Sequence, residues 1–449
     1  MSRATLTRET GWSVEWLGKA PRRWRTSRLR FLVKVNPSRS ELSCVSRDTE
    51  VSFVPMEAVG EYGGLQLDQT KPLDEVSVGY TYFREDDVVV AKITPCFENG
   101  KGSMAQGLRN GVAFGTTELH VLRPLPGLDP KFLFYLTISH PFRSIGTAYM
   151  YGAGGQKRVP DEFVRDFRHP FPVIAEQRAI TAFLDRETAR IDALIEKKQR
   201  QIELLKEKRT ALISHAVTKG LDPDVKMKNS GIEWLGEIPE HWDVAKLARI
   251  AVNLQTGPFG TQLHASDYVE NGIPVVNPAN LQSGDIVPDP RCTVSKETFG
   301  NLRRHRLDEG DIVFGRRGEM GRCALVTRSA DGFLCGTGSI RIRLNLEKAD
   351  PLYTSFFLRI PAVRDHLLLD CVGTTMDNLN TGIIARIPVA VPPVDEQSAI
   401  ASQLLAGFEP IKRIVSAIRQ SMETLLEYRT ALISAAVTGK IDVRKEVAE

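Results

Sequence analysis

Asp222, Asp224 and Lys226, in the run DPDVK, come closest in this 449-residue chain to a catalytic constellation. Carboxylates beside a lysine in a D-x-K arrangement could hold a divalent ion and orient water for phosphodiester cleavage. The run falls in a connecting segment, however, and a flexible linker gives a metal site no rigid frame. Other chemistries lack their residues. ENGKGS at 98–103 has neither the upstream glycine of a phosphate loop nor the hydroxyl residue that should follow its lysine. None of the eight histidines forms an H-E-x-x-H pair. The glycines of GAGGQKR at 152–158 follow no clear strand, which argues against a dinucleotide fingerprint. NPSR at 36–39 and NPAN at 277–280 lack the second proline and the aromatic ring of an amino-methyltransferase motif. These residues point away from bond-breaking chemistry within the chain.

Bulk properties set wide bounds. At ~100–200 residues per domain, the length allows two to four domains. An apolar fraction of 42% supports sizeable cores, and a net charge of +4 is mildly basic, which by itself selects no partner. The six cysteines (Cys44, Cys96, Cys292, Cys323, Cys335 and Cys371) form no C-x-x-C pair. A reducing compartment is therefore expected rather than disulfides or structural zinc. No apolar run reaches the ~18–20 residues that span a bilayer. MSRATLTRETGW has no signal-peptide core. The expectation is a cytoplasmic protein with no membrane partner.

The chain is written twice. Trp16-Leu17-Gly18 matches Trp234-Leu235-Gly236, Pro21 matches Pro239, and Trp24 matches Trp242, each pair 218 residues apart. EQRAI at 176–180 matches EQSAI at 396–400, and RTALISHAVT at 209–218 matches RTALISAAVT at 429–438, both 220 residues apart. Two nearly equal offsets make one half a copy of the other. Between the matched ends the halves share only a skeleton. EDDVVVAK at 85–92 resembles EGDIVFGR at 309–316, and AFGTTELHVLRP at 113–124 resembles LCGTGSIRIRLN at 334–345. β-Branched runs punctuated by Gly, Pro, Asn and Asp predict strands and turns there. Helices are expected at KFLFYLTISHPFR and LYTSFFLRIPAVR.

Each half closes on a long helix. Ile191, Ile195, Lys198, Ile202, Leu205, Arg209, Leu212 and Ala216 alternate in spacings of four and three. So do Ile411, Val415, Ile418, Met422, Leu425, Arg429, Leu432 and Ala436. This is the seam of a coiled coil, antiparallel if the halves are related by a pseudo-twofold axis. An amphipathic helix packed on its own domain is the plainer alternative. Gly407 and Pro410 predict that the second helix starts near Pro410. Each helix then covers ~27 residues, or ~40 Å. Arg209 and Arg429 interrupt the two seams at one place, where they suit pinning register, pairing with acids or snorkelling.

Taken together, the Trp phrase SGIEWLGEIPEHW, the E-Q entry after Pro392-Pro393 and the RTALIS.AVT helix end resemble the specificity subunit of type I restriction–modification systems. The resemblance covers essentially the whole chain. The first phrase departs from the pattern, with Lys19-Ala20 and Arg22-Arg23 where the second has Glu237-Ile238 and Glu240-His241. The fold it implies is α+β: two pseudo-symmetric α/β target recognition domains joined by two long antiparallel coiled-coil helices. The boundaries are 1–172 for the first recognition domain with its N-terminal Trp motif, 173–220 for the central helical spacer, 221–391 for the second recognition domain and 392–449 for the C-terminal helical spacer. The Trp-Leu-Gly and Pro-x-x-Trp elements are expected to pack each domain's base against the helix ends.

The resemblance also implies roles. The chain would be non-catalytic and would read a split, asymmetric sequence in double-stranded DNA. It would dock two modification (methyltransferase) subunits, and restriction (translocase/nuclease) subunits could join. The chain would carry no cofactor, with S-adenosylmethionine and ATP/Mg on the partners. Domains on a ~40 Å spacer would sit ~12 base pairs apart, about one helical turn.

Base readout needs polar and cationic side chains on exposed loops. In the first domain these are Lys92, Thr94, Asn99 and Lys101 in KITPCFENGK, with Gln156, Lys157 and Arg158 in GAGGQKR. In the second they are Arg316, Arg317 and Arg322 in GRRGEMGR, with Thr374, Thr375 and Asn378 in GTTMDN. Arg303 and Arg304 in RRHR suit phosphates. Two other readings remain open: a non-enzymatic scaffold whose duplicated helices hold two protein- or ligand-binding domains, and a self-contained enzyme. Basic, Gly-rich loops at matching places favour DNA over the first, and the missing motifs count against the second.

Overall fold

Two helices, Ile174–Lys219 and Val394–Val437, carry the longest regular structure in the chain. The computed structural model describes residues 21–153, 155–258, 262–318, 321–370 and 379–443. The chain divides into two units: one takes the residues up to Lys198 together with those from Arg419 onward, and the other takes Gln199–Ile418. Each long helix is thus shared, its first half in one unit and its second half in the other. Within the first unit, Ile180, Phe183 and Leu184 share a core with Ile433, Ala436 and Val437, while Asp192 meets Arg429 at 3.1 Å. Within the second, Ile213, Ala216 and Val217 share a core with Ile400, Leu404 and Phe408. The helical segments of each unit therefore run antiparallel, as the doubled seam predicts.

The first of the two mixed domains holds two four-stranded sheets. One runs Val33–Val35, Leu119–Pro124, Val88–Ala91, Gly102–Met104; the other runs Thr70–Pro72, Glu50–Val54, Val112–Gly115, Thr81–Arg84. The second domain repeats the first of these as Ala251–Thr256, Ser339–Leu344, Ile312–Gly315, Cys323–Leu325. Its other sheet runs Tyr268–Val269, Thr293–Val294, Ile273–Val276, Leu334–Cys335. Each second sheet contains one parallel pair, Glu50–Val54 with Val112–Gly115 and Ile273–Val276 with Leu334–Cys335. Each expected helix is present but broken in two before a proline, as Pro130–Ile138 and His140–Tyr149 in the first domain and as Pro351–Leu358 and Pro361–Asp370 in the second. Asp129 and Asp350 cap the leading helix of each pair by accepting from the backbone N–H groups of Phe132 and Tyr353, with proline next in the first turn. Arg25–Arg28 pairs with Arg168–Phe171, and Asp243–Lys246 with Pro388–Val391, closing each domain beside its outgoing helix.

The repeated sequence phrases build the joint between domain and helix. Gln177 and Gln397 are each 1% exposed. The Gln177 Oε1 accepts from the Asp129 N–H at 2.7 Å, and its Nε2 donates to the carbonyls of Gly127 (3.0 Å) and Pro172 (2.9 Å). Gln397 repeats this set with Asp350 (2.8 Å), Lys348 (3.1 Å) and Pro392 (2.8 Å). One amide thus satisfies a donor and two acceptors that burial would otherwise strand.

The neighbouring glutamates hold the Trp phrases. Glu396 accepts from Trp242 Nε1 at 3.1 Å and faces His241 Nε2 at 2.8 Å, while Glu176 accepts from Arg23 Nε at 3.1 Å. The Arg23 of the divergent first phrase therefore takes the place of His241 against the glutamate. The expected packing of the Pro-x-x-Trp element on a helix end is present in both units, and that of Trp-Leu-Gly in the second, where Leu235 shares a core with Ile213 and Val217; Trp16-Leu17-Gly18 lies outside the described residues. Gly439 has a φ of +71°, and a Cβ there would lie 2.6 Å from Pro21 and 3.1 Å from Trp24. Gly220, at φ +79°, lies against Trp242 and Pro239. Trp234 stacks on His366 at 5.5 Å; Trp12 and Trp16 lie outside the described residues.

Two expectations about the helices need correction. They span 46 and 44 residues rather than ~27, which extends the first to ~69 Å at 1.5 Å per residue. Pro410 stands inside the second helix rather than at its start. An internal proline forfeits one hydrogen bond and costs ~3 kcal/mol. Burial of Ile400, Ala401, Leu404 and Phe408 in the turns before it offsets that cost. The first seam also drifts. Ile191 and Ile202 are buried as expected, but Leu212 is 42% exposed and Ile213 takes its place. A 3.6-residue turn rotates away from a 3.5-residue repeat, and the core of the second domain takes over the buried face there. The interrupting arginines differ: Arg429 pairs with Asp192, whereas Arg209 lies over the Phe408 ring at 4.7 Å. Among the described residues no helix is long and apolar enough to cross a membrane.

Candidate nucleic-acid interface

Matching β-hairpins carry the candidate loops. In the first domain, residues 92–101 join Val88–Ala91 to Gly102–Met104. In the second, residues 316–322 join Ile312–Gly315 to Cys323–Leu325. An ion pair precedes each hairpin. Asp87 holds Arg123 at 2.7 and 2.8 Å, and Asp311 holds Arg343 at 2.8 and 2.7 Å. These carboxylates hold both guanidiniums more firmly protonated than usual, against the opposing effect of burial.

The structure brings the two loops of the first domain together. The Thr94 N–H and Oγ1 both donate to the Lys157 carbonyl, at 2.9 and 3.2 Å, and the Val159 N–H donates to the Lys92 carbonyl at 2.8 Å. Several candidates have internal duties. Asn99 Nδ2 donates to Glu61 at 3.2 Å, Lys101 Nζ to the Met56 carbonyl at 3.0 Å, and Arg158 forks onto Glu118 at 2.9 and 2.8 Å. Arg158 in turn pulls the Glu118 carboxyl below its usual range. Gln156 and Lys157 are exposed and Lys92 is half-buried. The frame set by Thr94, Asn99, Lys101 and Arg158 thus displays Gln156 and Lys157.

Arg143, which the sequence did not single out, braces this surface from behind. Its Nη1 donates to the Phe97 carbonyl at 2.7 Å, its guanidinium lies over the Phe97 ring at 4.6 Å, and burial pushes its pKa down to about 9. Gly146 makes the packing possible, since a Cβ there would meet the Phe97 ring at 2.4 Å.

In the second domain Arg316 is tied down and Arg317 is exposed. The Arg316 N–H donates to the Gly338 carbonyl and its Nε to the Leu379 carbonyl, both at 2.8 Å. Arg322 is half-buried in the same loop. Arg303 and Arg304 project from a single 3-10 turn, Arg303–His305. Thr374, Thr375 and Asn378 lie outside the described residues. The DPDVK run forms an exposed turn in which Asp222 accepts from the Asp224 N–H at 3.0 Å. Among the described residues no cluster of three His, Cys, Asp or Glu side chains is placed to hold a metal ion. The arrangement offers cationic and polar side chains on two hairpins of one architecture and different sequence, and on the 152–158 loop packed against the first, which suits a polyanion read at two unlike places.

Known proteins share this plan. A family model for the type I restriction modification DNA specificity domain matches residues 239–419. The chain is 24% identical to the type I restriction enzyme EcoEI specificity subunit of Escherichia coli, over 93% of this chain and 83% of that one. It is 37% identical to the EcoAI specificity subunit of Escherichia coli over a shorter stretch, 36% of this chain and 27% of that one. A chain from a structural study of complex assembly and conformational transition of the type I R-M system superposes with a TM-score of 0.69 at 17% identity, covering 94% of this chain and all 100% of that one. The HsdS subunit from Thermoanaerobacter tengcongensis superposes with a TM-score of 0.50 at 17% identity, covering 94% and 98%. At such identities the superpositions speak for the fold.

Proposed function

The chain belongs to the specificity subunits of type I restriction–modification systems, and from that premise we propose how it reads DNA. It is a sequence-specific DNA-binding subunit that works in a complex with other subunits and is not itself the catalyst. Each recognition domain reads one half of a split target, and because the two domains differ in sequence the two half-sites differ as well. Two modification subunits dock on the duplicated helical frame and methylate adenine with S-adenosylmethionine. Restriction subunits that use ATP and Mg join the same complex, and the assembly acts in the cytoplasm. Gln156 and Lys157 in the first domain, and Arg317, Arg303 and Arg304 in the second, are the first-choice DNA contacts. Lys92 and Arg322 stand beside them. Thr94, Asn99, Lys101, Arg158 and Arg316 act chiefly by shaping the loops.

One observation carries this reading. A duplicated frame holds two hairpins at equivalent positions, each beginning beside the same Asp–Arg pair and each ending in a different polar loop. A scaffold for unrelated ligands would have no reason to place basic loops at the same position twice.

The test is a methylome. The chain is expressed with its modification subunit in a methylation-free bacterial host, and the DNA is sequenced for N6-methyladenine. A split, asymmetric motif with a fixed gap, absent without this chain, is the expected result. A complex that forms without binding DNA would overturn the reading in favour of a scaffold.

A further inference from the structure

Strand Ser339–Leu344 departs from its counterpart at one position. In the first domain Val121 is buried with Val54, Phe83 and Val89, and is the register partner of Val89. In the second domain the register partner of Val313 is Arg341. Val89 and Val313 are each the second residue of the strand that leads into a recognition hairpin. The flanking pairs, Arg123 with Asp87 and Arg343 with Asp311, fix the same alignment. An arginine only 7% exposed, its Nε 4.0 Å from the Asp311 carboxylate, therefore stands where the sister domain keeps an apolar side chain. Burying a cation costs several kcal/mol unless its donors are met, so packing alone does not account for it.

What Arg341 holds is the turn that carries Arg304. Its Nη1 donates to the Arg304 and Arg306 carbonyls at 3.1 and 2.6 Å. Its Nη2 donates to Asn253 Oδ1 and Gln255 Oε1 at 3.2 and 2.8 Å. The fork thus fastens Arg303–His305 to the edge strand Ala251–Thr256. Within the turn, Arg304 Nε donates to His305 Nε2 at 2.9 Å. A ring nitrogen that accepts carries no proton, so the neutral imidazole bears its hydrogen on Nδ1, which lies 3.5 Å from the Gln255 side-chain amide. Burial, with Arg304 adding to it, pushes His305 down to about 4 and keeps the ring neutral at physiological pH. Arg304 itself is exposed. With its backbone fixed from below and its Nε engaged, its two terminal nitrogens are left to fork onto an anion.

We propose that Arg341 is a positioning residue for DNA binding in the second domain, setting the Arg303–His305 turn so that Arg304, oriented by His305, meets a backbone phosphate. Val121 shows that the first domain has no such device at this position. The proposal rests on the DNA-reading assignment above.

The test measures binding of the assembled complex to its cognate duplex over a series of salt concentrations. Binding by the unsubstituted complex comes first; its absence would sink the DNA-reading assignment itself and the present proposal with it. Arg304→Ala is expected to weaken binding about five- to tenfold at moderate salt and to lower the slope of log K against log salt by about 0.9, the share of one phosphate. Arg341→Met, with Arg304 intact, is expected to lower the slope equally, and the double variant to lose nothing more. His305→Phe, which removes the acceptor for Arg304 Nε, is expected to lower it in part. Arg341→Val repeats the test with the side chain that the equivalent strand of the first domain carries as Val121, and thermal midpoints are recorded for every variant. A purely structural role would move the midpoint and leave the slope alone. A wild-type slope in both Arg341 variants, with a reduced slope in Arg304→Ala, overturns the positioning role. A wild-type slope in Arg304→Ala overturns the phosphate contact.

Discussion

His169 Nε2 donates to the Val437 carbonyl at 2.9 Å, and the Tyr353 hydroxyl donates to the Val217 carbonyl at 3.0 Å. Val437 and Val217 are the same residue of the repeated helix end, 220 positions apart. Their carbonyls belong to the last turn, which lacks helical partners of its own. The two donors do not stand at equivalent positions. Phe132 follows the Asp129 cap as Tyr353 follows Asp350, and His169 lies in the strand position that Val389 holds in the second domain. One unit thus uses a Phe–His combination and the other Tyr–Val to satisfy the same carbonyl.

This exchange predicts a strong coupling. His169→Val alone leaves the buried Val437 carbonyl without its donor and should cost ~1–3 kcal/mol. Phe132→Tyr alone places a second donor at an acceptor already engaged. Together they rebuild the joint of the second unit, and most of the loss should return. Denaturation of the four chains gives the coupling energy directly, with an expected value of ~1–2 kcal/mol. Additive effects would mean that the two joints are not built on one plan.

The same pair predicts acid sensitivity. His169 is fully buried among Phe132, Phe167 and Phe171, and burial holds it at about 3. A free imidazole titrates near ~6.5, so the unfolded chain binds this proton first. The stabilisation from a neutral His169 is complete above ~6.5 and fades as pH falls toward the folded value, by roughly 2 kcal/mol at pH ~5. Stability of the full chain measured from pH 7 down to 4 should fall with this slope. It should fall less steeply in Phe132→Tyr/His169→Val, which has no proton to take up there.

Much of this frame is legible from repetition alone. Glu176-Gln177 and Glu396-Gln397 can be paired without coordinates, and so can the strands that follow Asp87 and Asp311. What escapes is whatever depends on which face of a sheet is covered. Arg341 sits in an alternating run, SIRIRL, where an arginine reads as solvent-facing; only the turn above it makes that face an interior. Arg143 reads as a surface cation on an amphipathic helix, yet it is buried under the Phe97 loop. Pro410 reads as a helix start because local propensity is visible in sequence and the packing that overrides it is not. The loops are legible as groups, but which members are tied down, such as Asn99 to Glu61, is a matter of neighbours distant in sequence.

The repeated glutamines should be interchangeable in cost. Gln177→Leu and Gln397→Leu each strand one buried N–H and leave two carbonyls short of a donor, so each should destabilise by ~2–4 kcal/mol. Equal shifts in denaturation midpoint are expected. A large effect at one site and none at the other would show that one joint has a second route to satisfaction.

The last prediction separates readers from frame. Arg317 is exposed at the tip of the second hairpin, while Arg316 spends its Nε on Leu379. If Arg317 forks onto a base edge, Arg317→Ala should weaken cognate binding by ~1–3 kcal/mol and relax specificity within one half-site only, with little change on random DNA. Lys157→Ala in the first domain should act on the opposite half-site, because Lys157 is displayed by the other domain, on the loop that packs against its hairpin through Thr94. Arg316→Ala removes a loop anchor instead, so it should loosen its half-site more broadly and lower the thermal midpoint as well. Competition binding with duplexes mutated in one half-site at a time distinguishes these outcomes. An equal loss on cognate and random DNA for Arg317→Ala would reassign it to a phosphate. A loss spread over both half-sites would contradict the division of labour between the two recognition domains.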